Sequence, residues 1–454
     1  MAEKLDIQTV KEEFLDLYQR QIASNSIPDY VRELREKGME NFKEFGLPGR
    51  KNEDYKYTNV QNIFNTEYQK EVKARDINIE LEDIFKCDVP EINTNVLLLL
   101  NGFYYAKQEE LIELPEGVIM GSLAAASKKY PEIVSEHLGK YAKMDKNGLV
   151  GLNSAFANDG TYIYVPKNAV LKQPIQVVNI LLDDKDLMTQ HRNLIVVEEN
   201  AEASVVICDH TLSPNRYCTN SVLEVFANKN AKVDLSRIQN EHNGSTQLTN
   251  TFIHQERDSR VTTNIVTLHG GVIRNNIDVK MNGEGCESNT YGLYLSDRTQ
   301  HIDNFVNVDH AYPNCNSNQL FKGVLDDMAT GAFSGRIYVA PDAQNTLAFQ
   351  ANNNILLTDD AKMHTKPQLE IYADDVKCSH GATVGQLDEN AFFYMRARGI
   401  GEREARMLLM YAFVDEVVNH IAIEPLRERI QDLVEKRLRG ELSRCNNCVM
   451  HCCN

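Results

Sequence analysis

The 454-residue sequence lacks the long apolar stretch that a membrane span requires, since its longest aliphatic run is Val96–Leu100. The N-terminal residues 1–14 also lack the apolar core of a secretory signal peptide. We therefore expect a cytoplasmic protein whose ten cysteines are thiols rather than disulfides. Basic residues are outnumbered, and a net charge of −17 argues against a nucleic-acid partner, because an acidic surface repels phosphate backbones.

Local catalytic motifs are missing as well. The sequence has no GxxxxGK[ST] loop to cradle phosphates and no GxGxxG motif after a strand. It also has no HExxH zinc motif and no GxSxG nucleophile elbow. These absences shift the expectation from catalysis toward a binding or scaffold role.

Helical periodicity is confined to the two ends of the chain. Near the N-terminus, Ile7, Val10, Phe14, Tyr18 and Ile22 form one apolar stripe, and a second helical pattern follows a proline at position 28. Helices return at position 388, where an aspartate can cap the first turn. We therefore divide the chain into an N-terminal helical domain (1–95), a mixed segment (96–155), a strand-rich core (156–386), a C-terminal helical domain (387–441) and a cysteine-rich tail (442–454).

The core consists of short β-branched segments separated by Asn, Asp and Gly, which predicts strands. A small residue follows a polar turn and precedes a strand five times, at spacings that fall from 32 to 26 residues: Ala169, Ala201, Ala231, Ser259 and Gly285. A period in this range with strand-only units predicts stacked coils, as in a β-helix. A large β-sandwich is the alternative, because its strands also recur regularly.

Cys378 and His380 are candidate metal ligands. If residues 375–383 form a strand, both side chains lie on one face together with Val376 and Ala382. A thiol and an imidazole two residues apart can reach one metal, and both suit iron–sulfur chemistry. The alternative is a buried apolar face on which Cys378 acts as a small core residue.

The tail carries the densest group of possible metal ligands, namely Cys445, Cys448, His451, Cys452 and Cys453. A CxxC pair followed closely by His and Cys can close a tetrahedral site. The alternative is a solvent-exposed terminus that happens to be rich in thiols. Removing the residues after Arg444 and measuring the bound metal would distinguish the two interpretations.

Two segments carry a resemblance to a known family. The segment KPQLEIYADDVKCSHGATVGQLDENAFFYMRARGIGEREARMLLMYAF, residues 366–413, resembles the C-terminal signature of the SufB/SufD family of iron–sulfur cluster assembly proteins. The segment FGLPGRKNEDYKYT, residues 45–58, resembles the family's N-terminal signature in its SufD branch. The resemblance implies a mainly β fold, a right-handed parallel β-helix flanked by N-terminal and C-terminal helical domains.

At two positions the sequence differs from SufB-like chains, so it resembles the SufD branch of the family more closely. SufB-like chains read close to LEHEAT where this sequence reads KCSHGAT, and they carry a cysteine in a QCDS-like motif on a late strand. Here the matching stretch is Phe349–Leu357, which has asparagines and no cysteine. The resemblance therefore implies a non-catalytic scaffold subunit that needs a SufB-like paralogue to supply the missing thiolate.

The family resemblance also implies partners and cargo. It implies a complex with one SufB-like subunit and two copies of the SufC ATPase, in which His380, and less firmly Cys378, face a nascent iron–sulfur cluster at the subunit interface. It further suggests that the chain assists the entry of iron and that the complex contains reduced flavin. Whether the isolated chain forms a homodimer is left open. The expected ATPase-docking residues lie in the C-terminal helices: Arg396, Arg398, Arg403, Arg406, Met407, Met410, Tyr411 and Phe413.

Two other functions compete with this one. A SufB-like scaffold acting alone would need the cysteine that Phe349–Leu357 lacks. A β-helix polysaccharide lyase or hydrolase would need acidic side chains aligned on one sheet, and such enzymes are usually secreted. The missing signal peptide and the KCSHGAT segment argue against an enzyme of this kind.

Overall fold

The computed structural model describes residues 7–22, 27–70, 94–105, 109–144 and 147–441. Helices occupy the two ends of the described chain, as the apolar periodicity predicts, and three more lie between residues 123 and 156. They are α1 (Ile7–Ile22), α2 (Asp29–Phe45), α3 (Val60–Ile63), α4 (Leu123–Lys129), α5 (Pro131–His137), α6 (Gly148–Phe156), α7 (Glu389–Ala397), α8 (Glu402–Val418) and α9 (Glu424–Leu438). None of these helices combines the length and hydropathy that crossing a membrane demands.

Strands fill the region between the terminal helices. The first six are short: β1 (Gln69–Lys70), β2 (Asn95–Leu100), β3 (Phe103–Tyr104), β4 (Leu111–Glu113), β5 (Ile119–Ser122) and β6 (Thr161–Val165). The next eight are β7 (Ile175–Leu181), β8 (Leu187–Val197), β9 (Glu202–Thr211), β10 (Tyr217–Ala227), β11 (Lys232–Asn240), β12 (Thr246–Gln255), β13 (Arg260–His269) and β14 (Val272–Met281). The last seven are β15 (Glu287–Ser296), β16 (His301–His310), β17 (Asn316–Leu325), β18 (Thr330–Val339), β19 (Thr346–Leu356), β20 (Lys362–Ile371) and β21 (Val376–Gly385).

Two parallel sheets wind together into a β-solenoid of about seven turns. From β6 onward, even-numbered strands pair with one another in the first sheet and odd-numbered strands in the second. Each turn therefore contributes one strand to each sheet, and its strands align with those of the turns on either side. This arrangement confirms the predicted parallel β-helix with helices at both ends and rules out the β-sandwich.

One corner of the solenoid repeats the same turn at a left-handed residue. Its φ lies between 55° and 73° at Asn168, Asn200, Asn230, Asp258, Gly285, Asn314 and Asn345. Asparagine tolerates this conformation better than most residues do. Its amide adds a ladder between turns, because Nδ2 of Asn200 donates to Oδ1 of Asn168 at 3.0 Å and Nδ2 of Asn230 donates to Oδ1 of Asn200 at 2.9 Å.

This corner corrects one position of the predicted repeat. Gly285 occupies the left-handed turn position rather than the small-residue position after it. The small residue at that height is Cys286, which is buried and accepts a hydrogen bond from Ser259 at 3.9 Å. The sequence pattern was off by one residue because glycine suits both positions.

Both outer faces of the solenoid's middle turns are covered. Helices α1, α2 and α6 pack on β8, β10 and β12 of the even-numbered sheet through a cluster that includes Phe14, Phe42 and Leu248. Helices α8 and α9 pack on β9 to β17 of the odd-numbered sheet through a cluster that includes Val266 and Ile430. The interior between the sheets is filled mainly by Val, Ile and Leu. The strands therefore read as continuous apolar runs because both of their faces are buried.

Candidate functional site at the open end of the solenoid

Strand β21 forms the outer edge of the odd-numbered sheet. Within the described chain it pairs only with β19, so its second edge has no strand beside it. Nearly all of its residues are exposed, from Lys377 to Gly385, with Val376 and Cys378 half-buried. An exposed edge strand offers unpaired backbone groups to which another chain can add a strand.

Cys378 and His380 share the inward-facing side of β21. They align with Ala348 and Gln350 of β19, and those two residues are buried. In an aligned parallel pair, side chains at matched positions point to the same face of the sheet. The thiol and the imidazole therefore stand two residues apart at the mouth of the solenoid interior.

The two candidate ligands differ in exposure. Cys378 is half-buried against a small apolar cluster that includes Ile337, Val339 and Ala348, and burial raises the pKa of its thiol. His380 is exposed. In the part of the chain that the structure describes, no three His, Cys, Asp or Glu side chains come together in a way that could hold a metal ion.

The stretch Phe349–Leu357, where the sequence lacks a cysteine, lies almost entirely in β19. Its buried asparagines bond inside the solenoid: Asn352 Nδ2 donates to the Tyr294 hydroxyl at 3.0 Å, and that hydroxyl donates to Asn354 Oδ1 at 2.5 Å. Asn354 Nδ2 also donates to Asn352 Oδ1 at 2.9 Å. These amides give the late strand a hydrogen-bond network inside the solenoid.

Large apolar side chains are exposed around the same end. They belong to the last strands and the corner after β20: Leu347, Phe349, Ile371, Tyr372 and Val384. Contiguous exposed apolar surface commonly marks a protein–protein contact. The sequence analysis missed these residues, because a period-two pattern cannot show which strand is the last in its sheet.

The N-terminal signature segment docks on the opposite, even-numbered sheet. The buried Arg274 donates to Asp303 at 2.5 Å and to the Asp54 carbonyl at 2.7 Å, and its guanidinium lies 4.8 Å from the centroid of the Tyr55 ring. The hydroxyl of Thr58 also donates to Asp303, at 2.5 Å. The contacts of this signature are therefore those of an anchor that fixes the N-terminal domain to the solenoid.

The predicted ATPase-docking residues separate into two groups. Met407 and Met410 are buried, and Tyr411 and Phe413 are half-buried, so these four pack largely within the chain. The four arginines are exposed: Arg396, Arg398, Arg403 and Arg406. The apolar residues of this group thus serve in large part to attach α8 to the solenoid.

Helix α7 supplies exposed aromatic surface that the sequence analysis did not single out. It buries no residue, and Phe393 and Tyr394 are 73% and 57% exposed. The Arg398 guanidinium lies 4.4 Å from the Tyr394 ring centroid, and that of Arg406 lies 5.0 Å from the Phe392 ring centroid. Exposed aromatics beside arginines are the residue types that dominate protein–protein interfaces.

The tail ligands Cys445, Cys448, His451, Cys452 and Cys453 lie outside the described residues. Cys208 and Cys218 are buried, each beneath one of the helical layers. Cys286 and Cys315 are buried in the solenoid interior.

Comparison with known proteins agrees with this architecture. Residues 180–413 match the model of the SufBD core domain of the SUF iron–sulfur cluster system, and residues 8–177 match the SufBD N-terminal region. The chain therefore belongs to the SufBD family of SUF iron–sulfur cluster assembly proteins. Within that family, the relatives named SufD support a SufD-type subunit.

Three relatives illustrate the similarity. A SufBD family protein of Synechocystis is 28% identical over 96% of this chain and 98% of its own length. The SufD protein of Escherichia coli is 28% identical over 87% of this chain and 90% of its own. The SufD protein of Bacillus subtilis is 25% identical over 71% of this chain and 75% of its own.

Proposed function

We propose that this chain is a non-catalytic scaffold subunit that pairs with a SufB-like paralogue and helps to hold a nascent iron–sulfur cluster. The observation that carries the proposal is the open end of the solenoid. There an unpaired edge strand, exposed apolar side chains and two candidate iron ligands, Cys378 and His380, occur together. Family membership places the chain in iron–sulfur cluster assembly.

The incomplete ligand set supports a shared site. Cys378 and His380 provide at most two ligands, whereas iron–sulfur clusters are usually held by four. A partner strand added to β21 would bury the inward-facing side chains and bring its own ligands to the mouth of the solenoid. In this arrangement the exposed His380 contacts the cargo first, and Cys378 completes the site when the interface closes.

The same proposal assigns the C-terminal helices to a SufC-like ATPase. The exposed residues of α7 and α8, rather than Met407 and Met410, would form the contact: Phe393, Tyr394, Arg396, Arg398, Arg403 and Arg406. Helix α8 packs directly on β15 and β17. Movement of the ATPase can therefore be transmitted through α8 to the sheet whose last strand is β21. We further propose that the chain is cytoplasmic and that the complex binds reduced flavin.

The test is reconstitution of the complex. The chain is co-expressed with the SufB-like and SufC-like proteins of the same genome, and co-elution, iron and sulfide are measured after size-exclusion chromatography. We expect His380→Ala to leave the complex intact while removing most of the cluster. Cys378→Ser should have a smaller effect, because the thiol is set back in an apolar cluster.

Ser379→Ala is the matched control, since Ser379 is exposed on the other face of the same strand. Unchanged iron and sulfide in the His380→Ala complex would overturn the assignment of this residue. Failure of the wild-type chain to co-elute with either protein would overturn the scaffold proposal itself.

A further inference from the structure

A second site lies away from the open end, where the N-terminal segment meets one corner of the solenoid. The cleft has a volume of about 560 Å³, within the range of small-molecule sites. Residues 50–68 form one wall, and the chain segments around 216, 243–246, 271–272 and 298–301 form the other. Four successive turns of the solenoid therefore contribute to it.

Three arginines from distant parts of the sequence converge on this cleft: Arg50, Arg216 and Arg298. No aspartate or glutamate is among the residues that line it. The charged residues that line the cleft are thus all arginines, although the whole chain carries a net charge of −17. One of them, Arg216, is paired with Asp186 beside the cleft. Burial lowers the pKa of His301 at the cleft wall. Asp303 opposes this effect, and Arg274, His364 and, least of all, Arg50 add to it.

Local contacts position two of the arginines, Arg50 and Arg216. Arg50 sits in a turn closed by Asn52, whose backbone N–H donates to the Gly49 carbonyl at 2.9 Å and whose Oδ1 accepts from the Gly49 N–H at 3.1 Å. The Arg216 guanidinium is oriented by Asp186, with Nε to Oδ2 at 2.6 Å, and remains 56% exposed. The turn therefore fixes the backbone at Arg50, and Asp186 fixes the orientation of the Arg216 side chain, which reduces the entropy that these two residues lose on binding.

Arg298 has an unusual backbone conformation. Its φ is +55°, in the left-handed region that asparagine, aspartate and glycine occupy at the other corner positions of the solenoid. The corresponding residue of the next turn is Asp327, with φ +52°, and it accepts a hydrogen bond from the Arg298 N–H at 2.9 Å. A long side chain is unfavourable in this region, and residues held there often serve a function.

We propose that this cleft binds a small phosphorylated ligand through Arg50, Arg216 and Arg298. Guanidinium groups match phosphate oxygens in geometry as well as charge. Tyr57 lines the cleft and stacks on His364, with ring centroids 4.6 Å apart and an interplanar angle of 11°. This aromatic pair offers a flat surface beside the phosphate site. A nucleic acid is disfavoured because the acidic remainder of the surface repels a long phosphate backbone.

The test is titration of the full-length chain with inorganic pyrophosphate and with ADP, using isothermal calorimetry at low ionic strength. We expect saturable binding that weakens as salt is added. Arg50→Glu should weaken it by at least about tenfold, because one charge-assisted contact is replaced by repulsion. Equal affinities for the two probes would indicate that phosphate alone is recognised, whereas tighter binding of ADP would indicate a nucleotide.

Arg257→Glu is the matched control. Arg257 is an exposed arginine at a corner of the solenoid, 61% accessible, and it does not line the cleft. Thermal unfolding of both variants checks that the fold is retained. Absence of saturable binding by the wild-type chain, or equal weakening by Arg50→Glu and Arg257→Glu, would overturn the proposal.

Discussion

The middle turns and the end of the solenoid at β21 are built from strands of the same kind, but they differ in what covers those strands. In the middle, helices bury both outer faces, and the inward face is closed by neighbouring turns. In the last two turns, Leu347 and Phe349 of β19 face outward without cover, and Cys378 and His380 lie on the edge strand β21. The middle turns therefore bury the surface that stabilises the chain, while the open end leaves apolar side chains and a strand edge exposed.

The polar groups differ in the same way. The middle turns enclose ion pairs that are almost inaccessible to water, such as Arg192–Glu224 and Arg274–Asp303. In the last turn, Lys377, Ser379 and His380 are exposed and make no such pairs within the described chain. Substitutions in the two regions should therefore affect different properties, stability in the first and assembly in the second.

The largest loss of stability is expected from Arg274→Ala in the middle turns. The change leaves Asp303 buried without its counter-ion and frees the Asp54 carbonyl, so the free energy of unfolding should fall by about 3–5 kcal/mol. Denaturant unfolding measures this loss. The exposed pair Arg257–Asp258 provides the control, and Arg257→Ala should change the free energy by less than about 0.5 kcal/mol. Similar values for the two variants would contradict the comparison.

The largest loss of assembly is expected from Phe349→Asp at the open end of the solenoid, in the strand next to β21. Because Phe349 is 44% exposed, unfolding should change little, while affinity for the SufB-like partner should fall by at least about tenfold. Met328→Asp is the control, since Met328 is 60% exposed at a corner between β17 and β18. Retained affinity in Phe349→Asp would show that the open end is not the contact surface.

The helices and the repeating strands of the fold could largely be predicted from the sequence. The apolar stripe from Ile7 to Ile22 coincides with α1, Asp388 caps α7 through the Asn390 N–H at 2.9 Å, and Gly399 ends that segment with φ +85°. These predictions are correct because helix periodicity and helix caps depend only on residues that are near one another in the sequence. The repeat also predicted the β-helix, and its one wrong position, Gly285, was a local ambiguity.

What could not be predicted depends on contacts between distant segments. Helical spacing does not show which side of α8 meets the solenoid, so Met407 and Met410 looked like docking residues although they are buried. The arginine cleft joins Arg50 to Arg216 and Arg298, which approach one another only because solenoid corners stack in register. The sequence correctly predicted that Cys378 and His380 lie on one strand. That they bind a cluster together with ligands from a partner chain stays a prediction.

A more gradual effect on stability, spread over several pH units, should appear at Glu241 in the middle of the molecule. Burial raises the pKa of this carboxyl from 4.5 to about 8, and Asp209 adds to the rise. Between these values the folded chain holds a proton that the unfolded chain has released. Stability should therefore decrease as pH rises through this window, by up to about 1.4 kcal/mol per pH unit.

The variant Glu241→Gln isolates this contribution, because an amide of similar shape keeps an acceptor for the Gln247 side chain. Unfolding measured from pH 5 to pH 8 should show a shallower decline in the variant than in the wild-type chain. Parallel curves for the two proteins would mean that Glu241 is ionised in the folded state.

The smallest effect is one of thiol reactivity, and it compares the two regions directly. Burial raises the pKa of both Cys218, in the middle, and Cys378, in the last turn, and the value for Cys218 reaches about 12. Only the thiolate reacts with iodoacetamide, so both should react more slowly than an exposed thiol at pH 8. Because Cys378 is half-buried and Cys218 fully buried, Cys378 should be modified first, and faster as pH rises through 9.

Site-resolved mass spectrometry of the folded chain measures these rates, and the urea-unfolded chain, in which the two thiols should react alike, provides the control. Binding of the SufB-like partner should protect Cys378 and leave Cys218 unchanged, since only the last turn would be newly covered. If Cys378 stayed equally reactive in the assembled complex, the partner would have to bind elsewhere, and the last turn would lose the role that distinguishes it from the middle turns.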